Sequence, residues 1–432
     1  MCDEQFQKRL NLVRDVVNGY GLESLDIATV EYEENSPFQY NNFIYKITLS
    51  TAATAASIPN AGPYTVALPQ EGVSTLIMRL ANPKAEGVVH ENRVENEVAA
   101  MHLARQGLLS SAKPDTAALV PALYDWQPSS NCPSGFGWSL MEFREGVPLD
   151  RVFRDMPIDD TKGVLGQIAD IFTGIQQSPL PESIQGHGGM TIDGEGNIVS
   201  GKMTTVKGGP WESYTAFWKA RLALRVEDAG VSPVLDGWKP NGVRERVDKF
   251  LALGLGKFLE GSGVDVGRRN LIHGDLTTNN MLYDPSTKKV TSVLDFDWAF
   301  VSHPCHEFFT SLGDIGGNTG GGTGRDPDLS GGRLGKAMMT GNFDIPDIPE
   351  AAAKQLTRDK AWDDALAERR ALRPSEIEGI SALDRLRRFE DLLCPFALEH
   401  PAMLKRKTPE EIAEMRKTTE GEVIDCLASF GY

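Results

Sequence analysis

Two short segments gather the residues whose types and spacing can do chemistry. In the first, Leu271-Ile272-His273-Gly274-Asp275-Leu276, followed by Asn280, an apolar run opens into a polar centre; in the second, Val293-Leu294-Asp295-Phe296-Asp297, it does so again. Moving a phosphoryl group onto a hydroxyl needs a carboxylate that orients the hydroxyl and accepts its proton. It also needs a side-chain oxygen and a second carboxylate on a metal ion that bridges the phosphates. Asp275, Asn280 and Asp295 are of the right types for these tasks, in that order. Single aspartates more often serve turns or helix caps, and it is the coincidence of the three that favours chemistry. Asp297 reads equally as a second metal ligand or as a surface carboxylate, and His273 as support for the backbone around Asp275.

The elements that must position these residues are legible in outline. Asn280-Met281-Leu282-Tyr283 and Thr291-Ser292-Val293-Leu294, turned by Asp284-Pro285-Ser286, predict a hairpin with Asn280 and Asp295 at one end, where one or two Mg²⁺ ions fit. Upstream, Phe6, Leu10, Val13 and Val17 predict an amphipathic helix over 3–18, and Val94, Val98 and Met101 another over 90–106. Strands are predicted at 43–49, 75–80 and 136–143. The Ala-, Pro- and Gly-rich stretch 51–74 reads as a long loop. Past Gly146-Val147-Pro148 the character turns helical, at 164–175 and 211–226, interrupted by a hairpin over 189–203 turning on Gly194-Glu195-Gly196-Asn197. The glycines between 313 and 335 read as a flexible flap. Pro374-Ser375-Glu376-Ile377-Glu378 reads as a capping box ahead of a helix beginning near Ile380.

His-Gly-Asp-Leu with an asparagine five residues after the aspartate, and Leu-Asp-Phe-Asp after a hairpin, resemble the aminoglycoside phosphotransferase and choline kinase-like family. The Gly at 274 and the Asp at 297 set the chain apart from protein kinases, whose motifs read His-Arg-Asp and Asp-Phe-Gly. The resemblance implies an α+β, bilobal, protein-kinase-like fold, with a β-rich N-terminal lobe over 1–143 and a mostly helical C-terminal lobe over 144–432. It implies an ATP- and Mg²⁺-dependent enzyme that phosphorylates a small-molecule hydroxyl, with ATP between the lobes and Asp275 as the catalytic residue. Asn280 and Asp295 would hold Mg²⁺. Arg79, in Ile77-Met78-Arg79-Leu80, stands where the family carries a strand lysine for the ATP phosphates, and Glu97 where it carries the lysine's helix partner. Arginine presents a planar fork in place of a compact ammonium; Lys46 and Lys84 are the alternative cations, and the alternative for Glu97 is a solvated helix residue. Gln39-Tyr40-Asn41-Asn42-Phe43 would be the phosphate-covering turn, without glycine, and Met141-Glu142-Phe143-Arg144-Glu145-Gly146 the hinge that binds adenine through its main chain. The arginine and the glycine-free turn also motivate a second reading, an idle nucleotide-binding regulator; a protein kinase is a third.

Bulk properties narrow the classes further. A chain of 432 residues, 41% hydrophobic and 24% charged, has the composition of a folded soluble protein. It carries no apolar run of about 18 residues and no signal-peptide pattern at Met1-Cys2-Asp3-Glu4, so a cytoplasmic, membrane-free protein is expected. Its five cysteines are scattered and never form Cys-x-x-Cys, against disulfide or zinc frameworks. A net charge of −16 disfavours nucleic acid and, together with Asp314 and Glu307, favours a cationic small molecule. Nothing in the sequence speaks to oligomeric state. His303-Pro304-Cys305-His306 reads as a buried turn in preference to a metal cluster. Gly196 to Met203 imitates a nucleotide loop but lacks its Ser or Thr.

Overall fold

The computed structural model describes residues 2–30, 40–59, 61–317, 319 and 332–432. In chain order, α1 (Cys2–Gly19) leads into β1 (Ser24–Val30), β2 (Asn42–Ala53) and β3 (Val73–Ala81); α2 (Arg93–Leu109), β4 (Leu123–Gln127), β5 (Trp138–Glu142) and β6 (Val147–Pro148) follow. Next come α3 (Asp150–Phe153), α4 (Ile158–Gln176), β7 (Gly189–Ile192), β8 (Ile198–Gly201), α5 (Tyr214–Val231), α6 (Val243–Lys249) and α7 (Leu255–Glu260). The motif-bearing stretch supplies β9 (Asn270–Ile272), β10 (Met281–Asp284), β11 (Lys289–Val293), β12 (Phe300–Ser302) and α8 (Cys305–Thr310). Helices Arg333–Thr340, Glu350–Glu368, Ile380–Leu393 and Pro409–Ser429 dominate the rest. The architecture is α+β: an antiparallel sheet first, helices after. None of the described helices is long and apolar enough to cross a membrane.

The chain divides into two compact units. One comprises Met1–Ile184, Gly189–Thr205 and Thr278–Phe300. Its five-stranded antiparallel sheet has the order β1-β2-β3-β5-β4 and ends, along the chain, at Glu142. Alternation along β3 decides what faces where: Leu76, Met78 and Leu80 are fully buried in one cluster with Tyr45 and Ile47 of β2 and Val13 and Val17 of α1. Residues two apart share a face, so Arg79 is left on the other one. Each fully buried aliphatic side chain contributes roughly 1.5–3 kcal/mol, which fixes the register. The same unit holds α2, α4, the β7/β8 hairpin and the sheet β11-β10-β6.

The other unit comprises Gln185–Gly188, Val206–Thr277 and Val301–Tyr432. It contains β9, the loop carrying Asp275, α8 and the C-terminal helices. Buried Trp218, Trp238, Phe250 and Phe389 form much of its interior.

Several expectations need amending. The stretch 51–74 is not all loop: β2 runs to Ala53 and Ala55–Ser57 makes a 3-10 turn. Strands β1 and β4 were not foreseen. The helix at Ile380 begins without the serine box: its N-cap is Gly379 at φ 75°, and Glu376 accepts instead from the Arg373 amide at 3.1 Å. A Cβ at Gly379 would lie 2.4 Å from Val264, so the entry is too tight for a larger residue. Residues 320–331 of the glycine-rich stretch, and Gln39 of the phosphate-covering turn, lie outside the described residues.

Candidate active site

The β10/β11 hairpin is formed as its sequence suggests. Met281 pairs with Val293, and the Leu294 amide donates to the Asn280 carbonyl at 2.8 Å, which puts Asn280 and Asp295 at the same end. At the opposite end Asp284 closes the turn: hydroxyls of Ser286 and Thr287 each donate to it at 2.7 Å and hold its carboxyl down at about 2. Asn280 is buried, while the Asp295 side chain keeps 36% of its surface exposed. Asp295 sits at φ 64°, ψ 66°, a left-handed conformation costing a non-glycine residue about 1–3 kcal/mol and persisting only where neighbours enforce it.

Arg79 is the hub of this unit's polar cluster. Its Nη1 donates to Glu97 Oε1 at 2.6 Å and its Nη2 to Asp295 Oδ1 at 2.6 Å, with Asp297 Oδ2 at 3.4 Å. Burial pushes the Arg79 pKa down, but Asp295, Glu97 and Asp297 more than offset this and hold it above its ordinary value. Burial pushes Glu97 up to about 7 against the pull of Arg79. Glu97 is thus no solvated helix residue: α2 is buried nearly all round, and its polar side chains must find partners inside. Of the alternative cations, Lys46 lies over the Phe143 ring at 4.2 Å and Lys84 is exposed.

Asp297 is neither exposed nor free to take a metal. Arg93 grips it twice, Nε to Oδ1 at 2.6 Å and Nη2 to Oδ2, and Asn42 Nδ2 donates to Oδ2 at 3.2 Å. Burial pushes its carboxyl up; Arg93 more than reverses that, so Asp297 stays below the ordinary carboxylate range. The Thr204 hydroxyl donates to the Asp297 carbonyl at 2.8 Å. Arg93 escaped the sequence reading although it left a signal. It stands in the first turn of α2, where a cation opposes the helix dipole, and such a residue calls for a carboxylate partner. Asn42 has its side chain on Asp297 and its backbone in β2 opposite Ala81. Glu142 ends β5, where its Oε2 accepts from the Ala122 amide at 3.0 Å and lies 3.1 Å from Arg144.

Asp275 belongs to the other unit, in the loop after β9. Glu307 of α8 holds that loop from beneath: Oε2 accepts from the His273 amide at 2.7 Å and Oε1 from the Gly274 amide at 3.1 Å. Ser311 donates to Glu307 Oε1 at 2.6 Å and accepts from the Leu276 amide at 3.0 Å. Gly274 turns at φ 81°, a conformation other residues adopt at a cost. His273 Nδ1 accepts from the Asp275 amide at 3.3 Å, the structural role its position suggested. Glu307 is 3% exposed and committed to this backbone, so it is unavailable to a cationic acceptor. Asp314 is exposed. His303 and His306 lie inside a buried aromatic cluster, with His306 Nε2 3.0 Å from the Tyr214 hydroxyl and His303 Nδ1 accepting from the Cys305 amide at 3.2 Å.

The donor set suits Mg²⁺. A buried amide oxygen and a part-exposed carboxylate are hard oxygen ligands, and Mg²⁺ is commonly bound by one or two protein groups together with water and substrate phosphates.

A family model described as the phosphotransferase enzyme family matches residues 59–332. No curated protein sequence matches the chain. Among solved structures, it is similar to a thermostable mutant of aminoglycoside phosphotransferase APH(4)-Ia in ternary complex with AMP-PNP and hygromycin B. The identity there is 13%, over 96% of this chain and 98% of that one, with a TM-score of 0.44. It is also similar to the streptomycin–ATP ternary complex of APH(2″)-IIa, at 7% identity over 95% of each chain and a TM-score of 0.45.

Proposed function

Because the chain belongs to the phosphotransferase enzyme family, we propose that it transfers the γ-phosphoryl group of ATP to a hydroxyl of a small molecule. Asp275 orients the acceptor hydroxyl and takes its proton. Asn280 and Asp295 hold Mg²⁺, which when bound neutralises charge on the phosphates. Arg79, braced by Glu97, binds phosphate oxygens, and the main chain of Glu142 and Phe143 receives the adenine.

The observation that carries this reading is the pair of 2.6 Å contacts from Arg79, one to Glu97 and one to Asp295. A buried cation whose fork spans a helix carboxylate and a part-exposed loop carboxylate is arranged to meet a charged phosphate group. The net charge of −16 favours a cationic acceptor.

The Arg79–Asp295 contact also favours a second reading, a nucleotide-binding regulator without turnover, in which Arg79 neutralises the metal carboxylate and Mg²⁺ is not recruited. Calorimetry with ATP, with and without Mg²⁺, beside a turnover assay over a panel of amino alcohols, sugars and aminoglycosides separates the two. The enzyme reading expects Mg²⁺-dependent binding and acceptor-dependent ADP release. Metal-independent binding with no ADP release across the panel supports the regulator.

A further inference from the structure

One face of α2 does work that the proposed reaction does not by itself require. Asn92, the residue capping α2, and Asn96, whose amide donates to the Asn92 carbonyl at 2.9 Å, both reach the open end of the β7/β8 hairpin. Asn92 Nδ2 donates to the carbonyls of Met190 and Lys202 at 2.8 and 3.0 Å, and Asn96 Oδ1 accepts from the Met190 amide at 2.7 Å. The other end of the Asn96 carboxamide donates to the Ala299 carbonyl at 2.8 Å. Asn96 is fully buried. One side chain thus ties together the helix carrying Glu97, the hairpin, and the turn that follows Asp295.

The hairpin is shaped for this grip. Gly189 and Gly201 face each other in its register. A Cβ on Gly189 would lie 2.0 Å from the Lys202 carbonyl oxygen and 3.1 Å from Asn96 Oδ1, and one on Gly201 2.7 Å from Met190. Beyond β8 the same stretch reaches Thr204, which pins the Asp297 carbonyl and whose own carbonyl accepts from the Val89 amide just ahead of α2.

We infer that Asn96 is a positioning residue that locks α2 to the Asp295–Ala299 turn, with the β7/β8 hairpin as the strut that keeps it there. The left-handed backbone of Asp295 needs its surroundings to enforce it, and Asn96 holds the far end of that turn while Arg93 and Thr204 hold its middle. The same helix carries Glu97 against Arg79, so the lock sets Arg79 and Asp295 together. The inference deepens the proposed function and rests on reading Asp295 as the metal carboxylate.

The test has two independent readouts on Asn96→Ala: amide hydrogen exchange over Asp295–Ala299 in the ligand-free protein, and Mg-ATP affinity by calorimetry. Exchange over Asp295–Ala299 is expected to rise at least tenfold, and Mg-ATP to bind about tenfold more weakly with KM for the acceptor unmoved. Gly189→Ala, which pushes the hairpin off an intact Asn96, is expected to raise exchange over Asp295–Ala299 as well, and serves if Asn96→Ala does not fold. Exchange within twofold of the parent in these variants overturns the inference. If exchange rises while the parent chain binds no nucleotide, the lock stands and the functional reading falls.

Discussion

Arg93 holds Asp297 with two nitrogens, Nε on Oδ1 at 2.6 Å and Nη2 on Oδ2, although the residues are 204 positions apart. Both side chains are at most 3% exposed. Removing one member of such a pair leaves a charge buried without its counterpart, at a cost of about 3–5 kcal/mol; replacing both with apolar residues is often nearly neutral. Arg93→Leu is therefore expected to lower unfolding stability by about that amount, and Arg93→Leu with Asp297→Leu to recover a substantial part. Denaturant titration of the two variants checks this. Equal losses in both would show that the pair is not the source of the penalty.

Glu97 predicts a pH dependence. Burial lifts its carboxyl to about 7, so below that pH it is protonated and its hold on Arg79 weakens. Mg-ATP affinity is expected to fall as pH drops from 8 to 6, while Glu97→Gln shows a flat profile at the low-pH level. Stability runs the other way: a carboxyl raised on folding costs least when protonated, so its contribution improves as pH falls through 7 toward the unfolded value of 4.5. Calorimetry at pH 6, 7 and 8 reads the affinity; a flat profile in the parent chain contradicts the bracing role.

The histidine cluster of the other unit predicts acid sensitivity. Burial, reinforced by Arg269 and Arg268 respectively, pushes His187 and His303 down to about 4, and burial puts His306 well below its ordinary value. The unfolded chain binds these protons from 6.5 downward and the folded chain only at lower pH, so stability is full above pH 6.5 and falls below it, the share of His187 and His303 being lost by about pH 4. Within that window His187 and His303 each contribute a slope of up to about 1.4 kcal/mol per pH unit. His187→Phe is expected to remove about one proton's worth of the loss between pH 7 and 5. An unchanged loss would place its origin elsewhere.

Much of this molecule was legible from its sequence, and the rest was hidden for identifiable reasons. The family was legible through the resemblance that the motifs around Asp275, Asn280 and Asp295 carry, and the α+β fold as what that resemblance implies, while β2, β3 and α2 followed from sustained periodicity. Strand β1 lies at a sheet edge with most of its residues exposed, so it carries no alternation to read. Strand β4 is only five residues long, and Asp125 and Gln127 break up its apolar residues. Asp297 was misjudged because its partners Arg93 and Asn42 are remote in the chain. A buried long-range ion pair leaves no local pattern beyond the misplaced charge of Arg93. Glu307 was counted toward a cationic acceptor because nothing near it in sequence says that the His273 and Gly274 amides need an acceptor.

The central claim is that Asp275 serves the acceptor hydroxyl in an ATP-dependent transfer. It is tested most directly by measuring acceptor-dependent ADP release and Mg-ATP affinity side by side in the parent chain and in Asp275→Ala. The account predicts that Asp275→Ala loses release by about a thousandfold and binds Mg-ATP within about threefold of the parent, since general-base effects of this kind amount to roughly 10²–10⁴-fold. Full turnover in Asp275→Ala would contradict it.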